Sequence, residues 1–528
     1  MRISKKLTTA AALALGGIMF AIPCAGCGQR EYEDNEDTVV IDFFKGDYGI
    51  DFINNLADAF MAKHEGKKIY VKDTVLRNQI IDRLKSGPKS NDADIVMTNG
   101  DAFGTIGLGA QFGQPAMFEP LTEVYDYVAP GQSKSIRELT QQSFKDVTSF
   151  TINGETKEYF MIWASGLQGL IYNKDMLGED RLPKTTDELI ALAGELKEEL
   201  KDTKKSAFIY SGYVDYWMPI HLVWWAQYAG EKAYNKFYEG EIEQLNPFTG
   251  EYEYTQSPAI FTMPGREESL SVMETLLKHS NGYCDKNSTA LSFTDAQRNF
   301  LKGQAAMHPN GDWLGTSVDK ENANVAFMKT PVISAIVDKL DTVRDDKTLS
   351  KVIAYIDGDE GAELPAGVSD ADLKTVTNAR NMIYLASTTH FVGIPSYANA
   401  KPLAKEFLKF MYSEEGAMIF AKSTNGTNLP VNYDYLGNAE VAAKFSDFQK
   451  SRLALMNEDA IGIYQRPQHP IVYKGMLKPY SYNSGVLEAA FGATNENDRK
   501  TAADIIKIDT QKYDTTGWNN LLKLAGLK

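Results

Sequence analysis

The run Phe300-Leu301-Lys302-Gly303-Gln304-Ala305-Ala306-Met307-His308-Pro309-Asn310-Gly311-Asp312-Trp313 holds the residue best placed for recognition chemistry. Gly303 and the small pair Ala305-Ala306 permit close packing before a short strand, and a turn at Gly311 presents Trp313 at that strand's end. A flat indole there offers a face to the C–H side of a sugar ring, while nearby amides, Asn310 among them, and carboxylates bond the hydroxyls. A buried core position is the competing reading for Trp313. The densest aromatic stretch comprises Tyr213, Tyr216, Trp217, Trp224, Trp225 and Tyr228. Trp217, His221, Trp224, Trp225 and Tyr228 recur at helical spacing, the pattern of a buried helix face. One of the adjacent Trp224 and Trp225 must point away from the other, and one of them, taken as Trp225, is expected to reach a binding cleft.

Catalytic patterns are missing. With 70 Asp and Glu in the chain, pairs of carboxylates of the kind that cleave glycosidic bonds carry no information by themselves. There is no Gly-x-Ser-x-Gly elbow and no Walker loop, and His64-Glu65 is followed by Lys68 where a zinc motif needs His. Gly107-x-Gly109 meets its third glycine at Gly113, one residue too late for a dinucleotide loop. His308 stands alone and reads as a structural hydrogen-bonder. The acidic run at 357–361 has Val368 where a calcium loop needs its final Glu, so it reads as a solvated loop. No catalytic residue, metal or cofactor is expected.

The elements that must carry Trp313 begin outside the cell interior. Arg2, Lys5 and Lys6 precede an uncharged apolar stretch from Leu7 to Ile22, followed by Cys24-Ala25-Gly26-Cys27. This reads as a secretory signal over residues 1–26 ending in a segment that resembles a bacterial lipobox, with Cys27 as the lipidated first residue of the mature chain. A permanent membrane anchor is the alternative, and a Cys24/Cys27 redox pair is disfavoured inside a signal region. Residues 27–37 are polar and acidic, as a tether would be. Cys284 is the sole cysteine after Cys27, so the fold relies on packing and not on disulfides.

The 528 residues, 43% hydrophobic and 24% charged, are too many for one core, so at least two lobes are expected. A net charge of −15 argues against nucleic acid as a partner. Val39 to Phe44 reads as a strand, Asp51 to His64 as a helix with Phe52, Leu56 and Phe60 on one face, and 68–71 and 94–97 as further strands. That alternation predicts a parallel sheet whose crevice lies beyond the strands' carboxyl ends, at Lys45 to Tyr48 and Thr98 to Phe103. A second unit begins near Tyr159. In it, Thr185 and Glu188 have capping-box spacing ahead of a stripe of Leu189, Leu192, Ala193, Leu196 and Leu200. Residues 333–380, charged and rich in turn signals, look like an insertion.

In this order, several segments resemble the extracellular solute-binding proteins of ABC importers, in the maltose-binding-protein-like carbohydrate branch. They are the opening strand and helix, 94–101, Leu170 to Leu177 with Leu182 to Leu189, the Phe300 to Trp313 signature, and Ala404 to Phe410 with Ser413 to Gly416 and Pro430. The resemblance implies an α/β, two-lobed periplasmic-binding-protein-like fold of type II, with discontinuous lobes joined by a hinge. The expected first lobe is 38–160 plus 330–430, carrying the insertion 333–380, and the second is 161–329 plus 431–528. Crossings are expected near Tyr159 to Ser165, near Ala326 to Ile333 and after Pro430. The resemblance also implies Trp313 as the ring-stacking residue and Asp101 as a sugar-binding carboxylate, although Thr98 stands where relatives often carry an aromatic. Phe44, Lys45 and Asp47 match the first cleft loop in position, and Trp163 falls on the hinge crossing as either a ligand contact or hinge packing.

The implied function is capture of a sugar, an oligosaccharide by preference, and its delivery to the permease of an ABC importer. The protein would be a monomer, lipid-anchored on the outer face of the cell membrane. A peptide or other polar metabolite as ligand, a membrane sensor in place of the importer, and a secreted glycoside hydrolase are the alternatives.

Overall fold

The computed structural model describes residues 32–45, 49–73, 77–89, 91–98, 102–111, 113–386, 390–466, 469–483 and 485–528. The strands are β1 Thr38–Phe43, β2 Lys68–Lys72, β3 Ile95–Thr98, β4 Ser149–Ile152, β5 Glu155–Glu158, β6 Met161–Ile162, β7 Leu167–Asn173, β8 Ser206–Phe208, β9 Glu241–Leu245, β10 Tyr252–Gln256, β11 Ala305–Gly311, β12 Val325–Phe327, β13 Met382–Leu385, β14 Phe391–Gly393 and β15 Ile461–Ile463. β4-β5 and β9-β10 are separate hairpins, and the rest form two sheets.

The first sheet has the order β2-β1-β3-β14-β6, parallel among its first three strands and antiparallel on both sides of β14. Its centre follows from composition: β1 is a β-branched and aromatic run buried along its whole length. The helix Asp51–Lys63 covers it with Phe52, Ile53, Leu56, Ala57 and Phe60. The second sheet has the order β15-β13-β7-β11-β8, with β12 also paired to β7. The helix Thr186–Leu200 packs there through Leu189, Leu192, Ala193 and Leu196. Thr185 caps it by accepting from the Glu188 amide, while the Glu188 carboxylate reaches past the cap to the Lys184 amide, 2.7 Å away.

Register fixes how the sheets face each other. In the first, Phe391 pairs with both Thr98 and Ile162, so the ends of β3 and β6 and the start of β14 share one edge. In the second, Gly311 pairs with Gln168 and Leu385 with Leu167, so the ends of β11 and β13 and the start of β7 share one edge. The chain passes directly between these edges, from β6 to β7 and from β13 to β14. The two passages are bonded side by side: the Trp163 amide donates to the His390 carbonyl and the Ala386 amide to that of Gly166.

The expected division of the chain shifts in two places. Residues 333–380 belong with the second sheet, because Ile336, Leu340, Leu349, Val352, Ile353 and Val376 join the core that contains Trp217, Trp224 and Trp225. Accordingly, the second crossing is at β13 to β14 and not at 326–333, where β12 stays paired with β7. The third crossing comes later than Pro430. Val431, Tyr435, Val441 and Phe445 remain in the first core, and only the helix Asp447–Leu455 turns to the other lobe, where Phe448 stacks on Phe327 of β12. Asp357, read as part of a solvated loop, ends the helix Asp346–Asp357 and is ion-paired to Arg380 (2.6 Å) and Lys329 (2.8 Å).

Candidate functional site

The edge of the second sheet that faces the crossings carries the loop after β8, at 209–217, and the turn after β11, at 312–314. At Gly311 a Cβ would lie 2.2 Å from the indole of Trp313, so the ring folds over the glycine and its placement requires that residue. Trp313 is half-buried, and its ring centroid is 5.7 Å from that of Tyr216 at an interplanar angle of 50°. Two aromatic side chains from separate loops thus meet at the sheet edge with surface left to a ligand.

The loop at 209–217 is held from below. The Gly212 amide donates to the Ser288 carbonyl and the Trp217 amide to Glu488 Oε1, both at 3.0 Å. At Gly485, whose φ is +67°, a Cβ would approach the Gly212 carbonyl oxygen to 2.4 Å, so only glycine lets this loop settle. Glu488 is fully buried and its Oε2 has no hydrogen-bond partner among the described residues. Burial pushes its carboxyl up to about 8.

Behind Trp313, Asp312 is buried and receives the Arg452 Nε–H at 2.7 Å, with both side chains 1% exposed. Arg452 also donates to Ser165 Oγ, which donates onward to the Leu429 carbonyl. With its amide oriented to satisfy both acceptors, Asn428 donates to the Ser165 carbonyl at 2.8 Å and to Asp312 Oδ1 at 3.0 Å. One charged cluster therefore ties the β6-β7 crossing, the segment before the third crossing and the base of the Trp313 turn. Burial raises the Asp312 carboxyl from its ordinary value, against the pull of Arg452.

Of the remaining residues singled out from sequence, Phe44 is half-buried at the end of β1, against a cluster that draws on both lobes. Lys45 is exposed and ion-paired with Asp73 at 2.8 Å. Asp47, Asp101 and Cys27 lie outside the described residues. Of the two alternatives for Trp163 the structure selects hinge packing, and two further expectations are corrected. Trp163 has no exposed surface: it stacks on Phe52 (5.9 Å, 10°), meets Phe43 edge-on and donates its indole N–H to the Thr98 carbonyl at 3.0 Å, so it packs the hinge. Asn310 is fully buried within β11, its amide engaged with His308 Nε2 and the Gly311 amide. Trp225 and Trp224 are both at 0% exposure. Trp225 sits among His221, Tyr234 and Phe237, and Trp224 donates to the Pro331 carbonyl, so neither reaches the cleft.

Sequence reasoning did not single out Asp215 or the Asp312–Arg452 pair, and it took Tyr216 only as one member of an aromatic stretch. A signal for the loop was present: Ser211-Gly212 and Pro219, which the structure places in the first turn of the helix Met218–Ala229, bracket Tyr213 to Trp217 as a connection and not as helix. His308 donates through Nδ1 to the Ile209 carbonyl at 2.7 Å and accepts from Asn310 at Nε2, which fits a neutral imidazole; burial lowers it to about 4. Among the described residues, no group of three or more potential metal ligands occurs and no helix is long and apolar enough to cross a membrane. The family model for bacterial extracellular solute-binding protein matches residues 55–446 of this chain.

Proposed function

This chain belongs to the family of bacterial extracellular solute-binding proteins, and we propose that it captures a carbohydrate in the crevice between its two sheet edges and delivers it to the permease of an ABC importer. The observation that carries the sugar reading is the half-buried indole of Trp313 at the end of β11, paired with Tyr216 and backed by a buried ionic cluster. Such a platform stacks on the apolar face of a pyranose, and stacking recognition suits a ring better than an extended peptide, which pairs through its backbone. A ligand touching both lobes stabilises the closed arrangement by its differential affinity for that arrangement, and the closed face is what a permease would read.

The test is a thermal-shift and calorimetric screen of the mature chain against mono- and oligosaccharides, with short peptides and amino acids as controls. Trp313→Ala should weaken the saccharide that binds by about 1–3 kcal/mol at an unchanged melting temperature. Equal affinities would remove Trp313 from the site, a shift with peptides alone would overturn the ligand class, and product formation would turn the reading to a hydrolase.

We propose that lipidation of Cys27 anchors the protein on the extracytoplasmic face of the cell membrane. Cys27→Ser should move it from the membrane fraction to the soluble fraction, and a variant still retained on membranes would rule out a thioether-linked lipid anchor.

A further inference from the structure

The loop that carries Tyr216 also carries a carboxylate with no partner. Asp215 is half-buried, and no described residue gives it an ion pair or a hydrogen bond. It lies between Tyr213, 65% exposed, and Tyr216, whose ring meets Trp313. Its backbone is fixed at both ends, by Gly212 on Ser288 and by Trp217 on Glu488. Burial raises the pKa of Tyr216 on the same loop, of Tyr384 near the end of β13 and of Glu488 on the helix Val486–Phe491, and the charge of Asp215 adds a smaller push in the same direction to each. In the chain Asp215 directly precedes Tyr216, whose ring meets Trp313 at the crossing-side edge of the sheet. Lys45 is ion-paired with Asp73 and Arg452 with Asp312.

We infer that Asp215 accepts hydrogen bonds from adjacent hydroxyls of the sugar that stacks on Trp313 and Tyr216, and so restricts the site to neutral or amino sugars while rejecting uronic acids. The inference rests on the carbohydrate reading above and adds the ligand's charge class. A carboxylate with two acceptor oxygens matches a vicinal diol, tolerates an ammonium, and places like charge against a sugar carboxylate.

The experiment is calorimetry of the full mature chain and its Asp215→Asn and Asp215→Ser variants. The probes are the neutral trisaccharides maltotriose, cellotriose, xylotriose and mannotriose, the cationic trimer of glucosamine, and trigalacturonic acid. Wild type should bind a neutral or cationic member and not trigalacturonic acid. Asp215→Asn should weaken that binding roughly 10- to 100-fold, the loss for a charged acceptor of hydroxyl hydrogen bonds, and should narrow the gap to trigalacturonic acid. Asp215→Ser tests the same loss should the Asn variant not fold. Unchanged affinity in a folded variant, or binding of trigalacturonic acid by wild type, overturns the role of Asp215 and leaves the carbohydrate reading standing. A wild type that binds none of these saccharides overturns both.

Discussion

Arg452→Met should destabilise the protein by about 3–5 kcal/mol, because it leaves a carboxylate buried without its counter-charge. Arg452 and Asp312 are each 1% exposed, and besides Arg452 Nε at 2.7 Å the Asp312 carboxylate receives Asn428. Burial already raises Asp312, with the Arg452 charge as the opposing influence. Without Arg452 the carboxyl rises further. Folded chains then hold a proton that unfolded chains have lost, and the deficit grows as pH climbs above the ordinary value of 3.8. Denaturant unfolding at pH 4 and pH 7 checks both the size and the sign. The double variant Asp312→Asn with Arg452→Met should recover much of the loss, since the penalty is for the orphaned charge and not for the missing pair. If the double variant is as unstable as the single one, the cluster works through shape and hydrogen bonding, and the electrostatic account fails.

Glu488→Gln should reshape the stability profile above neutrality. The folded carboxyl titrates at about 8 against an ordinary 4.5, so between these values the native state binds a proton that the unfolded state lacks. Stability therefore falls as pH rises through that window, by about 1.4 kcal/mol per unit and about 4–5 kcal/mol in all. The amide variant lacks this slope, so it should match wild type near pH 4 and exceed it by several kcal/mol at pH 8. His221 and His308 act in the opposite sense. Burial lowers them to about 3 and about 4 from an ordinary 6.5, so they stay neutral when folded and withdraw stability as pH falls below 6.5. Together these three groups put their optimum near the ordinary histidine value. Melting temperatures of wild type and Glu488→Gln from pH 4 to pH 9 test this, and parallel curves for the two proteins would show that Glu488 does not carry the alkaline limb.

The first sheet and the turn at Trp313 were legible because their signals are local. Val39 to Phe44 is an unbroken strand-forming run, Phe52, Leu56 and Phe60 are one helical turn apart, and Gly311 is two residues from the ring it must accommodate. The Trp224–Trp225 step misled for a physical reason. The helix Met218–Ala229 is buried from Met218 through Gln227, wedged between the sheet and the helices of 333–380, so it has no solvent face for periodicity to reveal. Those outer helices in turn read as a charged insertion. Their exposed sides carry the charge, while Leu349, Val352, Ile353, Val376 and Ala379 point inward. The Asp312–Arg452 pair and the Glu488–Trp217 contact join residues far apart in the chain, and no spacing in the sequence announces them.

The position of β14 has a consequence for biogenesis. It lies between β3 and β6 in the first sheet, yet it is made some 230 residues after β6. Until Phe391–Gly393 has been synthesised, β3 and β6 have no strand to join them, and the N-terminal lobe cannot complete its hydrogen-bond ladder. Contacts of such sequence separation are slow to form, because the entropy of closing the long loop must be overcome before the pairing contributes. The strand order thus keeps the leading lobe unfinished until most of the chain has been made, a delay that suits a family whose members act outside the cell.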